Sequence, residues 1–213
     1  MKWINFFSND NISYYTYKLN TEDSIIIHNS QSTKNQSIII LCGSIYIVKT
    51  FVNKETLPLV ILKKNNILNF NSLKTKSKYY YKLTALEKTY ILSFKIPYDS
   101  QNKKKISYNL FISMMDSYNK TISQYEKMNE VMSHKYAKNR IIQLILLLCT
   151  EFGIVTKKQI QIPFKISQKS LATLSHTQKN NVNKTIKYLY QNTPIKYSNK
   201  KNIYIKNIYY INY

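Results

Sequence analysis

Residues 166–191 have the sequence ISQKSLATLSHTQKNNVNKTIKYLYQ, which predicts two helices joined by a tight turn. Ser167 is placed to cap the first helix, because its hydroxyl can accept a hydrogen bond from an exposed amide of the opening turn. Ser175 and His176 interrupt the apolar pattern, and Thr177 is placed to cap the second helix.

The second helix of this pair is predicted to have two different faces. Val182, Ile186 and Leu189 recur at i, i+4 and i+7 and define an apolar face. The opposite face carries long donors and amides, namely Lys179, Asn180, Asn183, Lys184 and Lys187. Lysine can donate to guanine and asparagine can pair with adenine, so this face suits the DNA major groove. An ordinary solvated helix face is the alternative, but asparagine is a poor helix former and its accumulation favours recognition.

The charge of the chain favours a polyanionic partner. The 213 residues carry a formal net charge of +22, with a pI near 9.8. Glu151 is the last acidic residue, and residues 152–213 contain eleven lysines and no Asp or Glu. Lys, Asn, Ile and Tyr have AT-rich codons, so an AT-biased genome explains part of their excess. It does not explain why Asp and Glu are absent only after Glu151. A basic C-terminal third indicates a nucleic-acid-binding module attached to a different domain.

The N-terminal part, from Tyr17 to about Ile96, has the pattern of strands. The predicted strands are short β-branched or aromatic runs separated by polar turns: Ser24–His28, Ser37–Cys42, Ser44–Val48, Leu57–Leu62, Tyr79–Leu83 and Thr89–Phe94. Their spacing of about ten residues predicts an antiparallel sandwich or jelly roll. Gly43 lies between two runs and marks a turn or bulge whose conformation other residues disfavour.

A long helix is predicted after the polar connection at residues 98–105. Apolar residues recur at intervals of three and four: Leu110, Met114, Tyr118, Ile122, Tyr125, Met128 and Met132. A narrow stripe of this kind is typical of the seam of a helix pair. Packing against its own domain is the alternative, but we favour self-association because so small a strand-rich domain has little surface to cover the helix.

Three further elements are predicted in the C-terminal third. Arg140–Phe152 is a nearly all-round apolar helix that suits a buried foundation, and Gly153 stands where a glycine would end it. Ile160–Pro163 is a short strand. Residues 194–197 and 202–206 flank a basic tip and predict a hairpin, or wing, that can place Lys200 and Lys201 on phosphates.

Catalysis, a metal site and a membrane span are not expected. The three histidines are scattered, and no phosphate-binding glycine loop or paired carboxylates are evident. Cys42 and Cys149 are far apart in apolar runs and are expected to be core residues. The longest apolar run is too short for a bilayer, and no secretory or transit signal is recognised. A non-specific nucleic-acid-coating protein with a degenerate sensor domain is the alternative function, because Tyr and Lys suit stacking and backbone contacts on single strands.

The residues that carry a family resemblance cover most of the chain. They are Glu126–Met128, the run from His134 through Arg140 to Gly153, Ile166 with Ser167, Leu171 with Ala172, and Thr177–Leu189, with weaker matches at Leu41–Gly43 and Ile61–Leu73. On these residues the chain resembles the superfamily of the cyclic-AMP receptor protein and the fumarate–nitrate reduction regulator, the Crp/Fnr superfamily. Within it, the likeness is greatest to the cyanobacterial and plastid global nitrogen regulator.

The resemblance implies an α+β fold in three parts. These are an N-terminal cyclic-nucleotide-binding-like β jelly roll (1–100), a long dimerisation helix (101–137) and a C-terminal winged helix-turn-helix (138–213). The implied function is a sequence-specific transcription regulator, activator or repressor, of nitrogen-assimilation genes. It would bind a palindromic promoter in double-stranded DNA as a homodimer and contact RNA polymerase.

The resemblance also assigns residues to DNA binding. The family's base-contacting arginine falls on Lys179, the next contact on Asn180 and a second arginine on Lys184, while the turn glycine falls on His176. The full set expected at DNA is Ser167, Gln168, Thr177, Gln178, Lys179, Asn180, Asn183, Lys184, Lys200 and Lys201.

No cofactor is assigned, and 2-oxoglutarate is the candidate effector by resemblance. The family holds it with arginines and with backbone amides of a cradle segment. Here Thr121 and Tyr79 stand at or near the arginine positions, and Lys76 or Lys78 can supply charge. The candidate effector residues are Leu68, Asn69, Phe70, Asn71 and Glu126. Without the phosphate-binding residues of cyclic-nucleotide binders, cyclic AMP is less favoured.

The resemblance and the AT-biased composition together predict where the protein works. An organelle-encoded protein of the plastid (chloroplast) stroma is expected, since such a product needs no transit peptide. The cytoplasm of a low-GC bacterium is the alternative.

Overall fold

The computed structural model of the chain describes residues 2–28, 36–70, 79–95, 106–156, 159–198 and 202–206. These residues form two compact units. The first comprises residues 1–55 and 59–125, and the second comprises residues 56–58 and 126–213. Among the expected functional residues, Asn71, Lys76, Lys78, Lys200 and Lys201 lie outside the described ranges.

The first unit is an antiparallel β domain with two helices. Its elements are α1 (Lys2–Asn9), β1 (Tyr14–Leu19), β2 (Ser24–His28), β3 (Gln36–Cys42), β4 (Ser44–Phe51), β5 (Thr56–Lys63), β6 (Ile67–Phe70), β7 (Tyr79–Ala85), β8 (Thr89–Lys95) and α2 (Tyr108–Ser133). The first three residues of β5 and the last eight of α2, from Glu126 on, belong to the second unit. Two four-stranded sheets have the orders β1-β8-β3-β6 and β2-β7-β4-β5. Strand β8 pairs antiparallel with β1 and β3, and β7 pairs antiparallel with β2 and β4. The six predicted strands and the long helix are therefore confirmed.

Strand β3 shows how alternation builds the two hydrophobic cores of this unit. Ile38 and Ile40 belong to a cluster that draws side chains from both sheets. Ile39 belongs to a second cluster with Trp3 and Phe7 of α1 and with residues of α2. Successive strand residues point to opposite faces, so one strand supplies both cores. Each fully buried isoleucine contributes about 1.5–3 kcal/mol.

Helix α2 buries or half-buries the residues of the predicted stripe, Met128 among them, with the exception of Ile122. Leu110 and Met114 are buried as expected, but Tyr118 is only half-buried and Ile122 is 55% exposed. Small polar residues are buried on this side of the helix instead, and Thr121 is an example. Its hydroxyl accepts a hydrogen bond from the Ile67 amide at 3.0 Å and lies 2.8 Å from the Ile67 carbonyl oxygen. The backbone of β6 thus binds this face of α2. For this face, the alternative prediction, that the helix packs against its own domain, is confirmed.

A second apolar face of α2 is exposed to solvent. We call it the α2 outer face, and its members are Tyr108, Phe111, Ile112, Met115 and Ile122, all exposed. Their spacing of three, one, three and seven residues keeps them on one broad side of a helix. Exposed apolar clusters of this kind mark interaction surfaces.

Gly43 has the conformation that its position between two strands predicts. Its φ is +83°. A Cβ built there would lie 2.6 Å from the Lys88 carbonyl oxygen and 2.8 Å from the Cα of Thr89. Both the left-handed backbone and the close approach of β8 therefore require glycine.

Replacing Gly43 with alanine is expected to lower the free energy of unfolding of the first unit by about 2–3 kcal/mol. The left-handed backbone alone costs a residue with a Cβ about 1–2 kcal/mol, and the approach to backbone atoms adds to this. Urea unfolding followed by Trp3 fluorescence measures the effect, because Trp3, the single tryptophan, is buried in this unit. Thr16→Ala, on an exposed position of β1, is the control; equal stability of both variants would contradict the assigned turn.

The second unit consists of three helices that pack against one another and a small sheet that α5 contacts through β11. Its elements are α3 (Ala137–Phe152), β9 (Ile154–Thr156), β10 (Gln159–Gln161), α4 (Gln168–Leu174), α5 (Lys179–Asn192), β11 (Ile195–Tyr197) and β12 (Ile203–Lys206). The sheet order is β11-β12-β10-β9, and its pairings are antiparallel. Helix α3 buries Ile141, Leu144, Ile145 and Leu148, while Ile142, Leu146 and Leu147 stay partly accessible. The prediction that α3 is buried on all sides is therefore wrong, because the helix buries one face and leaves the other partly accessible.

Gly153 ends α3 as the sequence predicts. Its backbone there is extended, with φ −65° and ψ 133°. Its lack of a side chain matters because a Cβ would lie 2.4 Å from a methyl carbon of Ile160. The prediction that both cysteines are core residues is confirmed for Cys149, where burial raises the pKa of the thiol to about 11. It is wrong for Cys42, which is exposed at the end of β3 in the first unit.

Candidate nucleic-acid interface

Helix α4 begins as its sequence predicts. Ser167 is the N-cap, and its hydroxyl oxygen accepts from the Ser170 amide at 3.0 Å. Gln168, the first residue of the helix, is half-buried. The Tyr197 hydroxyl donates to the Ile166 carbonyl oxygen at 2.9 Å, and burial raises the pKa of Tyr197. This bond ties β11 to the start of α4.

The turn between α4 and α5 contains a residue with a left-handed backbone. His176 has φ +48° and occupies the position expected for the turn glycine. Before it, the Ser175 hydroxyl donates to the Leu171 carbonyl oxygen at 2.7 Å, and after it the Thr177 amide donates to the Ala172 carbonyl oxygen at 2.9 Å. The surrounding bonds hold the strained residue in place.

Replacing His176 with glycine is expected to raise the unfolding free energy of the second unit by about 1 kcal/mol. Relief of left-handed strain, about 1–2 kcal/mol, exceeds the entropy that glycine adds to the unfolded chain. His176→Ala is the matched control, because it removes the imidazole but keeps the strained Cβ. Calorimetric melting of both variants should place glycine above alanine; the reverse order would show that the entropy glycine adds to the unfolded chain outweighs the relief of left-handed strain.

Helix α5 begins one residue later than its capping pattern predicts. The N-cap is Gln178, which makes no side-chain capping bond, and the helix starts at Lys179. The expectation that Thr177 caps this helix is wrong, because its hydroxyl instead accepts from the Asn181 side-chain amide at 3.0 Å. The first turn also lacks acidic residues. The positive end of α5 is therefore left without a capping side chain or a carboxylate of its own.

The two faces of α5 follow the predicted pattern with one departure. Val182 and Leu189 are buried, and Ile186 is half-buried. The exposed residues at and after the start of the helix include the predicted Gln178, Lys179, Asn180, Lys184 and Lys187. Asn183 is half-buried, and its Oδ1 atom is enclosed with no hydrogen-bond partner among the described residues. At about 100° per residue it lies at the border of the apolar face.

The electrostatics of this region follow from its sequence. Glu151, the last acidic residue of the chain, forms an ion pair with Lys127. Residues 152–213, which include α4, α5 and the hairpin, therefore supply no carboxylate to neutralise the lysines of α5. Positive charge, exposed donors and an uncapped helix N-terminus together make this surface suited to phosphate and base edges.

The hairpin after α5 is present where the sequence predicts it. Strands β11 and β12 pair antiparallel, with Ile195 opposite Ile205 and Tyr197 opposite Ile203. The Ser198 amide donates to the Asn202 carbonyl oxygen at 2.9 Å. Lys200 and Lys201, expected at the tip, lie outside the described residues.

The candidate effector segment has apolar surroundings in the described residues. Leu68 and Phe70 of β6 belong to the cluster between the sheets, and Asn69 is exposed. Tyr125 packs against the same cluster, and burial raises its pKa to about 12. Glu126 is exposed, in the second unit.

Two further findings concern the described residues only. They contain no group of three or more His, Cys, Asp or Glu arranged to hold a metal ion. None of their helices combines the length and the apolar character needed to cross a membrane.

Known proteins resemble this chain in sequence and in structure. No protein-family model matches it. A protein of Porphyra purpurea named "Putative HTH-type transcriptional regulator ycf28" is 25% identical over 200 residues, which cover 93% of this chain and 81% of the relative. Among solved structures, a cyclic nucleotide-binding domain containing protein from Listeria monocytogenes EGD-e has a TM-score of 0.72 at 16% identity, covering 97% of this chain and 98% of the other.

A second solved structure has the same fold. A transcriptional regulator of the CRP/FNR family from Thermus thermophilus has a TM-score of 0.66 at 15% identity, covering 92% of this chain and 95% of the other. Structural similarity at these identities establishes the fold, and the relative from Porphyra purpurea adds sequence similarity along most of the chain. The chain is thus similar over nearly its whole length to regulators of the Crp/Fnr type, and the predicted resemblance to the Crp/Fnr superfamily is confirmed, whereas the nearer likeness to the nitrogen regulators stays a prediction.

Proposed function

We propose that this protein is a sequence-specific DNA-binding transcription regulator that binds a palindromic promoter site as a homodimer. The observation that carries the proposal is the exposed face of α5, where Lys179, Asn180 and Lys184 surround an uncapped helix N-terminus. The absence of acidic residues from 152–213 supports it, because this stretch, which includes α4 and α5, has no acidic side chain that would compete with DNA for the lysines.

In this proposal α4, α5 and the hairpin form a winged helix-turn-helix. Helix α5 enters the major groove, where Lys179 and Lys184 donate to guanine and Asn180 pairs with adenine. The residues at the two helix starts (Ser167, Gln168, Thr177 and Gln178) and the wing lysines (Lys200 and Lys201) contact phosphates and fix the register. Asn183 lies at the edge of this face, so its contribution is smaller than that of the three exposed residues.

Dimerisation in this proposal uses the α2 outer face. The proposed two-fold dimer would present one α5 helix to each of two half-sites, which lie one turn of duplex, about 34 Å, apart. The domains then correspond to a sensor (1–100), a dimerisation helix (101–137) and a DNA-binding domain (138–213). The exposure of Ile122, Phe111 and Met115 in one chain supports this assignment, because a second copy would cover them.

The biological setting is proposed from the family resemblance. Nitrogen-assimilation genes are the proposed targets, RNA polymerase is the proposed partner, and the plastid stroma is the proposed location. The likeness to the nitrogen regulators and the AT-biased composition support these assignments.

Selection of duplexes from a random pool tests the function. The purified protein should enrich a palindrome, and fluorescence anisotropy should show that it binds this operator about 10³-fold or more tightly than random duplex. Affinity should fall steeply with salt, as expected when lysines displace counterions from phosphates. Equal affinity for operator and random duplex across the salt titration would reject sequence-specific regulation. Tighter binding to single strands would favour the non-specific alternative.

The same titration with 2-oxoglutarate tests the candidate effector. A ligand-dependent change in operator affinity would show that 2-oxoglutarate is an effector of this protein. An unchanged affinity, together with no heat of binding in calorimetry, would remove 2-oxoglutarate from consideration.

A further inference from the structure

The only arginine of the chain occupies an unusual position. All other cationic side chains among its 32 Lys and Arg residues are lysines, so Arg140 stands alone. It lies near the start of α3, where a positive charge is opposed by the helix dipole. Its side chain is half-buried. Hydrogen-bond acceptors elsewhere in the second unit must therefore offset the unfavourable interaction of this charge with the helix dipole.

The guanidinium of Arg140 contacts four backbone carbonyl oxygens. Its Nε donates to Ser175 at 2.9 Å and its Nη2 donates to His176 at 3.2 Å. Its Nη1 donates to His134 at 3.1 Å and lies 3.2 Å from the oxygen of Lys135. We call this set of contacts the Arg140 latch.

The latch joins two segments that are far apart in sequence. His134 and Lys135 follow the last residue of α2 and precede α3, whereas Ser175 and His176 follow the last residue of α4. Carbonyl groups just beyond helix C-termini lack intrahelical donors and carry partial negative charge. A single cation between two such ends satisfies both.

Lysine would not reproduce this arrangement. The contacts use three nitrogens on two edges of the guanidinium, and each edge faces a different segment. An ammonium concentrates its donors at one atom, so it can reach one pair of carbonyls at the expense of the other. The chemistry of the site thus explains an arginine in a chain that otherwise uses lysine.

The segment held by the latch leads directly into α5. His176 has a left-handed backbone, and its carbonyl lies three residues before Lys179. The path of the chain through residues 175 and 176 therefore fixes the direction in which α5 starts. The other end of the latch holds the connection between α2 and α3, so the two segments are constrained together.

We infer that Arg140 is a positioning residue that holds the turn before α5 against the end of α2 and thereby sets the angle at which Lys179 and Lys184 meet DNA. This inference rests on the proposed DNA binding. It assigns to Arg140 an effect on discrimination between sequences, because base contacts depend on helix orientation more strictly than phosphate contacts do.

Nuclear magnetic resonance tests the latch without DNA. With one arginine in the chain, a single Nε–H resonance reports Arg140. Because the Nε–H group donates to the Ser175 carbonyl oxygen, its proton should exchange with water more slowly at neutral pH than that of a free arginine. This holds for the wild type whether it is a dimer or a monomer. Exchange at the rate of a free arginine would overturn the latch, whatever the DNA experiments show.

Arg140→Lys tests the effect on recognition. The variant keeps the charge, so the salt dependence of binding to random duplex should be unchanged, while the ratio of operator to random affinity should fall about tenfold or more. Lys135→Ala is the control, because it removes an exposed charge from the same segment but keeps the carbonyl that Arg140 contacts. An unchanged ratio for Arg140→Lys would overturn the inference, and calorimetric melting shows whether the variant is folded. Loss of discrimination in the wild type itself would instead reject the proposed function.

Discussion

Replacing Lys179 and Lys184 together with alanine is expected to remove almost all preference for the operator. Each base contact contributes about 1–3 kcal/mol of discrimination. A homodimer loses four such contacts, so the loss is at least about 4 kcal/mol, the lower end of the range that separates specific from non-specific binding. Both side chains are exposed in the free protein, so the substitutions should leave the fold of the second unit intact.

The measurement is the ratio of operator to random affinity, with the salt dependence determined for each. Base contacts predict a collapsed ratio and a nearly unchanged slope on random duplex, whereas phosphate contacts predict weaker binding to both and a shallower slope. Lys18→Ala with Lys82→Ala is the matched control, because it removes two exposed lysines from strands of the β domain. If the α5 double variant discriminates as well as this control, α5 is not the recognition helix.

Local signals explain why the helix pair was predictable. Ser167 acts on an amide three residues away, and the apolar period of α5 lies within one helix, so neighbouring residues contain the information. The predicted cap at Thr177 failed because a side chain one turn later competes for its hydroxyl. Capping patterns do not include that competition.

The β domain was predictable in its strands but not in its helix packing. Runs such as Ile38–Ile40 are continuous and β-branched, which makes strands evident. The buried face of α2 was not evident, because the preference for Thr121 over Ile122 depends on the backbone of Ile67, far away in sequence. Hydrophobic periodicity counts threonine as a polar surface residue. It does not register that the threonine hydroxyl can be buried when it hydrogen-bonds to the backbone of a distant strand.

The contacts of the Arg140 latch could not be predicted from the residues that neighbour Arg140 in sequence. Its partners on the α4 side are backbone carbonyls 35 and 36 positions away, and carbonyls have no sequence signature. The one signal in the sequence is statistical, a lone arginine where lysine is otherwise used. Such a signal indicates that a planar donor is needed, but only the fold shows what it holds.

Replacing Ile122 with glutamate is expected to convert the protein from a dimer to a monomer. Ile122 is 55% exposed in one chain and lies outside the hydrophobic clusters of its own unit, so the substitution should not unfold the domain. In a two-fold interface along the α2 outer face each copy would bring one carboxylate into an apolar seam, and the two charges would lie close to each other. An unpaired buried charge costs about 3–5 kcal/mol, so two of them should weaken association by about 10⁴-fold or more.

Sedimentation equilibrium over a range of concentrations measures this change. The wild type should have twice the 25.3 kDa mass of one chain, and Ile122→Glu should have the mass of one chain. The matched control is Asn109→Glu, which puts the same charge on an exposed position of α2 about 140° around the helix from Ile122. Because a monomer presents one α5 helix, the variant should also lose most of its affinity for the palindrome while retaining its affinity for a single half-site. A dimer of unchanged stability in Ile122→Glu would show that the two chains meet at another surface, and the half-site spacing would then follow from that surface.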